Sequence, residues 1–298
     1  VLLSANNYRP PSTPLPNREK TPVAILIPSH NEPGEILIRT IEACKKVRWK
    51  SSVNVYLLDD SDNNADKNRT KAIANKYGAL YIQRDDRKGY KAGNINNAVK
   101  KHIREDFFAI LDSDQAPTPE FLESTMDHFS DPDVAFVQTP QHFVDEKTAL
   151  ETAAKTGTNI FYRAQCMSKA KDNAIPFCGT NAIFRTAAFK EVGGLSYYTA
   201  TEDIDLGIRI NEKGWRGAYV PKILAHGYAP KDFKAYSSQQ YRWANGNLAI
   251  LRENFFKILR GNFSLSYQIH MFFTLGWWLI GVTPLLYIIV PILAVIFG

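Results

Sequence analysis

The 298 residues are 45% hydrophobic, enough apolar material for one large core or two modest ones. Lys and Arg number 36 against 30 Asp and Glu, and this mild excess, spread along the chain, argues for an anionic substrate or a membrane face over a nucleic-acid partner. The three cysteines, Cys44, Cys166 and Cys178, lack metal-ligand spacing, so no disulfide framework is expected and the simplest reading is reduced thiols in a cytosolic compartment.

Val1 to Pro22 carries Pro10, Pro11, Pro14, Pro16 and Pro22 and reads as an extended linker from an upstream segment. From Val23 short β-branched runs alternate with helical stretches. Predicted strands are Val23 to Ile27, Val53 to Leu58, Ala79 to Ile82, Phe107 to Leu111 and Val134 to Gln138. Predicted helices are Glu35 to Val47, Asp66 to Tyr77, Gly93 to Ile103 and Pro119 to Phe129. This alternation predicts an α/β fold with a largely parallel sheet covered on both faces, whose ligands bind beyond the carboxyl ends of the strands. Ser29 to Glu32, Asp59-Asp60 and Asp112-Ser113-Asp114 fall there.

The second half, Glu146 to Arg260, is expected to be richer in helix and contains the loop Phe177-Cys178-Gly179-Thr180. Asp232 to Leu259 is amphipathic, with aromatic and basic side chains that suit a membrane interface or a buried helix. Gly261 to Gly298 holds no Asp, Glu, Lys or Arg, and Phe272 to Phe297 is long enough to span a bilayer. Pro284 and Pro291 predict either one kinked helix or a helix followed by the start of another. The expected division is a linker over 1–22, a catalytic domain over 23–230, interfacial helices over 231–268 and a truncated transmembrane segment over 269–298. A first residue Val1 and an end inside the apolar run suggest an excerpt from a longer membrane protein, and no signal-peptide pattern is present.

Asp112 and Asp114 lie two apart at a predicted strand end, so both side chains point one way and repel unless a cation sits between them. Hard oxygen ligands suit Mg²⁺ or Mn²⁺, completed by substrate phosphates, although D-x-D alone is more often a solvated turn. Asp60, Asp62, Asn64 and Asp66 imitate a calcium loop, but Ala65 and Lys71 replace its Gly and Glu, which excludes that reading. Arg84 to Asn94 sets cations and glycines before a helix start, favourable for phosphate, and neither a P-loop nor a dinucleotide fingerprint is present. Thr201-Glu202-Asp203 opens a helix with Thr201 as expected N-cap, and the helix dipole should keep Asp203 ionised. Gln239, Arg242 and Trp243 share a helix face, offering a hydrogen-bonding amide, a phosphate-pairing cation and an indole platform for a sugar ring. Taken singly, each of these last two patterns is ordinary helix chemistry.

In this order, the four motifs resemble the processive family 2 glycosyltransferases, the superfamily of cellulose, chitin and hyaluronan synthases, from about Val23 onward. They are most similar to a bacterial-type cellulose synthase catalytic subunit. The resemblance implies a GT-A fold and an inverting transfer of hexose from a nucleotide diphosphate sugar, UDP-glucose on family frequency, to a growing β-linked glycan at the cytosolic face of the inner or plasma membrane. It implies that Asp203 is the general base and that Asp112 and Asp114 hold Mg²⁺ or Mn²⁺. By the same resemblance the nucleotide sugar meets Glu32, Asp59, Asp60, Lys91, Asp112 and Arg242, with Asp60 weighted above Asp59. The acceptor meets Phe177, Gly179, Thr180, Glu202, Gln239 and Trp243, and Cys178 serves as a small apolar residue. His30 stands where the family often has an aromatic residue before Asn, a departure that weakens the inference about the base. Implied partners are the donor, a glycan acceptor, membrane lipid and an accessory export subunit, with no nucleic acid. The family's gating loop and most of its channel are expected beyond the C-terminus. The rivals are a non-processive transferase of the same fold, a metal-dependent nucleotidyltransferase or phosphohydrolase, and an inactive membrane-anchored sugar-binding protein.

Overall fold

The structure, a computed structural model, describes residues 10–144 and 148–297. The first nine residues of the expected linker therefore lie outside it, as do 145–147 and 298.

Strand β1 (Val23–Ser29) is buried along its whole length, as an unbroken apolar run in the middle of a sheet should be. It pairs in parallel with β2 (Val53–Asp59) and β4 (Phe107–Ile110), and β2 pairs in parallel with β3 (Leu80–Gln83). Helices α1 (Gly34–Lys45), α2 (Asn64–Tyr77) and α3 (Tyr90–Lys101) connect these strands. The two-residue side-chain alternation divides the core. Val23, Ile25 and Ile27 pack with Leu37 and Ile41 of α1 on one face, while Ala24 and Leu26 pack with Ile95 and Val99 of α3 on the other.

The sheet is largely parallel, as expected, with one antiparallel strand beyond β4. Strand β7 (Ala182–Arg185) runs antiparallel between β4 and β6 (Val134–Gln138), and β8 (Arg216–Tyr219) closes the seven-stranded order β3-β2-β1-β4-β7-β6-β8. A two-stranded ribbon of β5 (Ala116–Pro117) and β9 (Ala225–His226) lies apart from it. The reversal has a positional effect: Ile110 faces Ala182 across β4 and β7, so the loop entering β7 sits at the carboxyl end of β4.

One helix expectation is corrected. The helix predicted over Pro119 to Phe129 is a short α4 (Phe121–Thr125) followed by a 3₁₀ turn, Met126–Ser130. Thr125 Oγ1 bonds back to the Phe121 carbonyl at 2.6 Å, a contact that competes with helix continuation. The described part of the linker, residues 10–22, docks on the domain. Leu15 is buried with the α1 face, its N–H donates to Asp127 at 3.0 Å, and Trp49 Nε1 donates to the Thr21 carbonyl at 2.7 Å.

The second half contributes α5 (Ala149–Ile160), α6 (Met167–Lys171), α7 (Thr186–Glu191) and α8 (Glu202–Glu212). Then comes the 28-residue α9 (Phe233–Arg260), N-capped by the Asp232 side chain at 2.7 Å from Ala235 N–H. It buries Ile250 and Ile258 against Ile208 of α8 and Tyr267, Met271 and Leu275 of α10 (Leu265–Gly276), yet leaves Phe255, Phe256 and Leu259 exposed. A 3₁₀ turn, Trp277–Val282, leads into α11 (Thr283–Phe297). Leu265–Phe297, 33 residues, is the one stretch among the described residues long and apolar enough to cross a membrane. Pro284 sits in the first turn of α11, where no N–H is needed, and Pro291 lies inside the helix.

Candidate active site

The two carboxylates of D-x-D lie just past β4 in a turn closed by Gln115 N–H to the Asp112 carbonyl at 2.9 Å, so they are not successive strand positions as expected. They are nonetheless brought close. Asp114 is pushed up to about 6, first by burial and then by the charge of Asp112, with Glu32 adding to the same negative field. Asp114 is located by its backbone: Arg39 donates to the Asp114 carbonyl at 3.1 Å and to the His226 carbonyl at 2.9 Å. The β5–β9 ribbon brings Tyr228 N–H to Asp114 Oδ2 at 3.4 Å.

Helix α3 begins earlier than predicted, after Gly89 at φ 74°, so Lys91 occupies its first turn. From there the Lys91 ammonium pairs with Asp112 Oδ1 and donates to the Gly179 carbonyl at 3.0 Å. Burial works against that charge, but Asp112, then Glu202 and Asp203, hold it above the ordinary lysine range.

The Phe177 to Thr180 loop reaches this point because of the antiparallel strand that follows it. Thr180 Oγ1, fully buried, accepts Asp112 N–H at 2.9 Å. Gly179 has φ 82°, and a Cβ there would lie 3.1 Å from Asp203 Oδ2. The dihedral favours glycine, and a methyl group would fit only if the Asp203 carboxylate gave way by a few tenths of an ångström. Phe177, assigned an acceptor contact, instead places its ring in the core, edge-on to Phe184 at 4.9 Å, so its position contributes backbone to the site.

Asp203 lies in the first turn of α8, and its Oδ1 accepts Ile204 N–H at 2.9 Å. Its carboxyl is raised to about 7 by burial and then by Glu202, against that hydrogen bond and Lys91. Desolvation and a like charge thus work against the helix dipole at this carboxyl. Glu202 is itself raised by burial, with Lys91 and Arg242 among the opposing influences. Thr201 precedes the helix without a side-chain cap; its hydroxyl contacts Thr199 at 3.3 Å and its side chain packs on Gly246 of α9.

Asp59 and Asp60 have different partners. Asp59 is buried and accepts Tyr81 OH at 2.7 Å, Ser61 Oγ at 2.6 Å and Ser61 N–H at 3.0 Å. Asp60 forms a two-pronged pair with Arg84 at 2.7 and 2.6 Å, both side chains only 6–7% exposed. Arg84 also donates to the Lys88 and Tyr90 carbonyls at 2.7 and 2.8 Å, shaping the loop before Lys91. Glu32 is partly buried, and its carbonyl accepts Arg69 at 2.9 Å. On α9, Gln239 is partly buried, Arg242 is exposed within electrostatic range of Glu202, and Trp243 is 40% exposed.

Sequence reasoning missed Gln138. Its Nε2 donates to the Thr180 and Thr139 carbonyls at 2.8 Å and its Oε1 accepts Cys178 N–H at 2.9 Å, clamping the glycine loop. The available signal was an amide closing an otherwise apolar strand run. Arg39 and Tyr228 gave none, because their contacts form across 75 and 114 residues.

Comparison with known proteins agrees with this geometry. The family model described as glycosyl transferase family group 2 matches residues 107–298, which include the D-x-D turn, the glycine loop, T-E-D and Q-x-x-R-W. The chain is 36% identical over 248 residues to the cellulose synthase 1 catalytic subunit (UDP-forming) of Komagataeibacter xylinus, covering 80% of this chain and 33% of that protein. To the cellulose synthase catalytic subunit (UDP-forming) of Pseudomonas fluorescens strain SBW25 it is 31% identical over 290 residues, covering 93% and 38%. The chain thus spans about a third of the length of the curated relatives it matches. Among solved structures, the mannosyltransferase PcManGT of Pyrobaculum calidifontis, in complex with GDP-Man and Mn²⁺, superposes with a TM-score of 0.67 at 17% identity, covering 97% of this chain and 84% of that one. Staphylococcus aureus TarS 1-349 in complex with UDP-GlcNAc gives 0.57 at 16% identity, covering 87% and 72%. These structures establish the GT-A glycosyltransferase fold, and together with the sequence relatives they place the chain in glycosyl transferase family group 2 as a cellulose synthase-like member.

Proposed function

We propose that the chain is the catalytic part of a membrane-bound, inverting β-glycosyltransferase that moves a hexose from a nucleotide diphosphate sugar, UDP-glucose, to the growing end of a polysaccharide. One observation carries this reading: Lys91, Asp112, the Gly179 carbonyl and the Asp203 carboxylate meet in one place, at the end of the sheet where β4 finishes and β7 begins. A phosphate-seeking cation and a prospective base are thereby set side by side.

Asp203 Oδ1 is committed to Ile204 N–H, so Oδ2, the oxygen beside Gly179, takes the proton of the acceptor hydroxyl. Removing that proton as the hydroxyl attacks the anomeric carbon makes a single displacement, which inverts configuration. Lys91 and Arg242 set positive charge against the departing diphosphate. Trp243, exposed on α9, offers its indole face to the acceptor sugar, with Gln239 one turn before it for hydroxyls.

The chain also fits a divalent cation. Asp114 is raised by burial and by the neighbouring Asp112, the signature of two carboxylates sharing a space that a cation would relieve. Among the described residues no group of three or more His, Cys, Asp or Glu that could hold a metal gathers anywhere, this site included, so the pair would need the donor's oxygens to complete a coordination shell. Asp112 and Asp114 would hold Mg²⁺ or Mn²⁺ together with the donor diphosphate, where it would supply charge to the leaving group. The Mn²⁺ and nucleotide sugars in the complexes of PcManGT and TarS support this.

Leu265–Phe297 anchors the domain, with 231–268 at the interface and 23–230 facing the cytoplasm, where reduced thiols and nucleotide sugars belong. The test is full-length protein in membranes given labelled UDP-glucose, UDP-N-acetylglucosamine or GDP-mannose with Mg²⁺ or Mn²⁺, comparing wild type with Asp203→Asn. A long polymer from UDP-glucose, lost in the variant and on chelation, is the expected result. Single-sugar products would indicate a non-processive enzyme; nucleotide turnover without sugar transfer would indicate a nucleotidyltransferase or phosphohydrolase.

A further inference from the structure

We infer that Tyr197 is a specificity-determining residue whose ring forms a stacking platform for a pyranose at the mouth of the cleft, an inference that rests on the glycosyltransferase reading above. The segment between α7 and α8 is held at several points on both sides of Tyr197. Arg209 donates to the Val192 and Gly194 carbonyls at 2.5 and 2.7 Å, and Asn96 brackets Leu195 through its N–H at 2.9 Å and its carbonyl at 2.7 Å. Tyr198 OH donates to Asp205, and Thr199 Oγ1 accepts Thr201 N–H at 3.2 Å. Against this background of fixed neighbours, Tyr197 is 51% exposed.

Its ring is nevertheless located. It lies on Gly89, where an added Cβ would come within 2.6, 2.8 and 2.9 Å of three ring carbons. Gly89 has φ 74°, and the next residue, Tyr90, has φ 46° with 75% of its surface exposed. A bulky residue in the left-handed region is uncommon, and such strain concentrates at functional sites. Two residues beyond Gly89 is Lys91, which touches Asp112 and Gly179; six residues beyond Tyr197 is Asp203. Tyr197 therefore joins the phosphate-side loop to the loop that carries the proposed base, with one side of its ring against Gly89 and about half of its surface exposed. A fixed aromatic ring presents a sugar's C–H face with a surface that needs no further ordering.

The pyranose is that of the donor or that of the acceptor's terminal unit, and the assay separates them. KM for UDP-glucose is measured at saturating β-glucan oligosaccharide, KM for the oligosaccharide at saturating UDP-glucose, and the inhibition constant of UDP, which lacks the sugar. Tyr197→Ala is expected to raise one KM by about two- to tenfold with kcat little changed, while Tyr197→Phe restores it and the UDP constant stays put. Tyr197→Leu, which keeps bulk without a π face, gives the same loss and serves if the alanine variant fails to fold. Unchanged values of both KM, an equal loss in Tyr197→Phe, a weakened UDP constant, or a fall in kcat alone would each overturn the inference. Absence of sugar transfer by the wild type would sink the functional reading itself.

Discussion

Asp203 makes the sharpest demand on experiment. Its rise from an ordinary 3.8 to about 7 comes from burial first and Glu202 second. At about 1.4 kcal/mol per pH unit, ionising it in the folded protein costs roughly 4 kcal/mol more than in the unfolded chain. The sign follows from the direction of the shift: the folded state holds this proton more tightly, so the penalty is absent below pH 3.8 and fully present above about 7. Catalysis needs the other form. A base that takes a proton works only when ionised, so kcat/KM should climb with pH through about 7, with about a tenth of the plateau left at pH 6. Glu202→Gln removes the second-largest cause of the rise, so the acidic limb should move to lower pH. Measured as the pH dependence of kcat/KM, each variant scaled to its own plateau, the limb of Glu202→Gln should be displaced clearly below that of wild type. A limb that stays in place, or a wild-type profile flat from pH 5 to 8, would refute the assignment of Asp203 as the titrating base.

Three further outcomes are expected. Gly179→Ala places a methyl group 3.1 Å from Asp203 Oδ2 at φ 82°, so it should cost about 1–2 kcal/mol of stability and lower kcat about ten- to a hundredfold; wild-type kinetics would show that the loop yields. Arg84→Ala leaves Asp60 buried without its two-pronged partner and should lower unfolding free energy by about 3–5 kcal/mol in a urea titration, whereas a loss under about 1 kcal/mol would mean that water reaches the carboxylate. Mn²⁺ added with UDP should raise the thermal midpoint of wild type but not of Asp114→Asn, and equal shifts in the two would place the cation elsewhere.

What the sequence revealed about the fold was whatever local patterning determines. Val23 to Ile27 and Val53 to Leu58 are apolar runs with turn residues at their ends, and the strands form there, extended by two and one residues. Strand β7 is four residues long and β8 reads Arg-Gly-Ala-Tyr; neither has a pattern that outcompetes its surroundings, and both exist because partners on either side or one side supply the ladder. For the same reason the antiparallel reversal was invisible. Within the candidate site, motif residues were legible as types, but their partners were not. Asp60 declares a carboxylate and gives no hint of Arg84; Asp203 declares a helix start and gives no hint of the burial that raises it. Phe177 was misplaced because a motif specifies a segment, and which of its atoms face the cleft depends on the core behind it.

The reversal at β7 also explains how one half of the chain can present its proposed base to the other. A purely parallel continuation would have entered its next strand from the opposite end of the sheet, leaving the Phe177 to Thr180 loop far from Asp112. Running β7 antiparallel puts the start of that strand beside the end of β4, and Thr180 then fastens the D-x-D turn through Asp112 N–H. Helix α8 follows and is held at both ends by α9. Gly246 packs on Thr201 at its start, and Lys257 pairs with Glu212 at 2.7 Å at its finish. The helix that leads into the apolar C-terminal stretch thus braces the helix that carries Asp203, while His270 of α10 separately contacts Asp172, just past α6, at 2.8 Å. Placement of Asp203 and docking of α9 and α10 are consequently coupled, so if Asp203 is the base proposed above, a change at the α8–α9 contact should act on chemistry without touching any substrate.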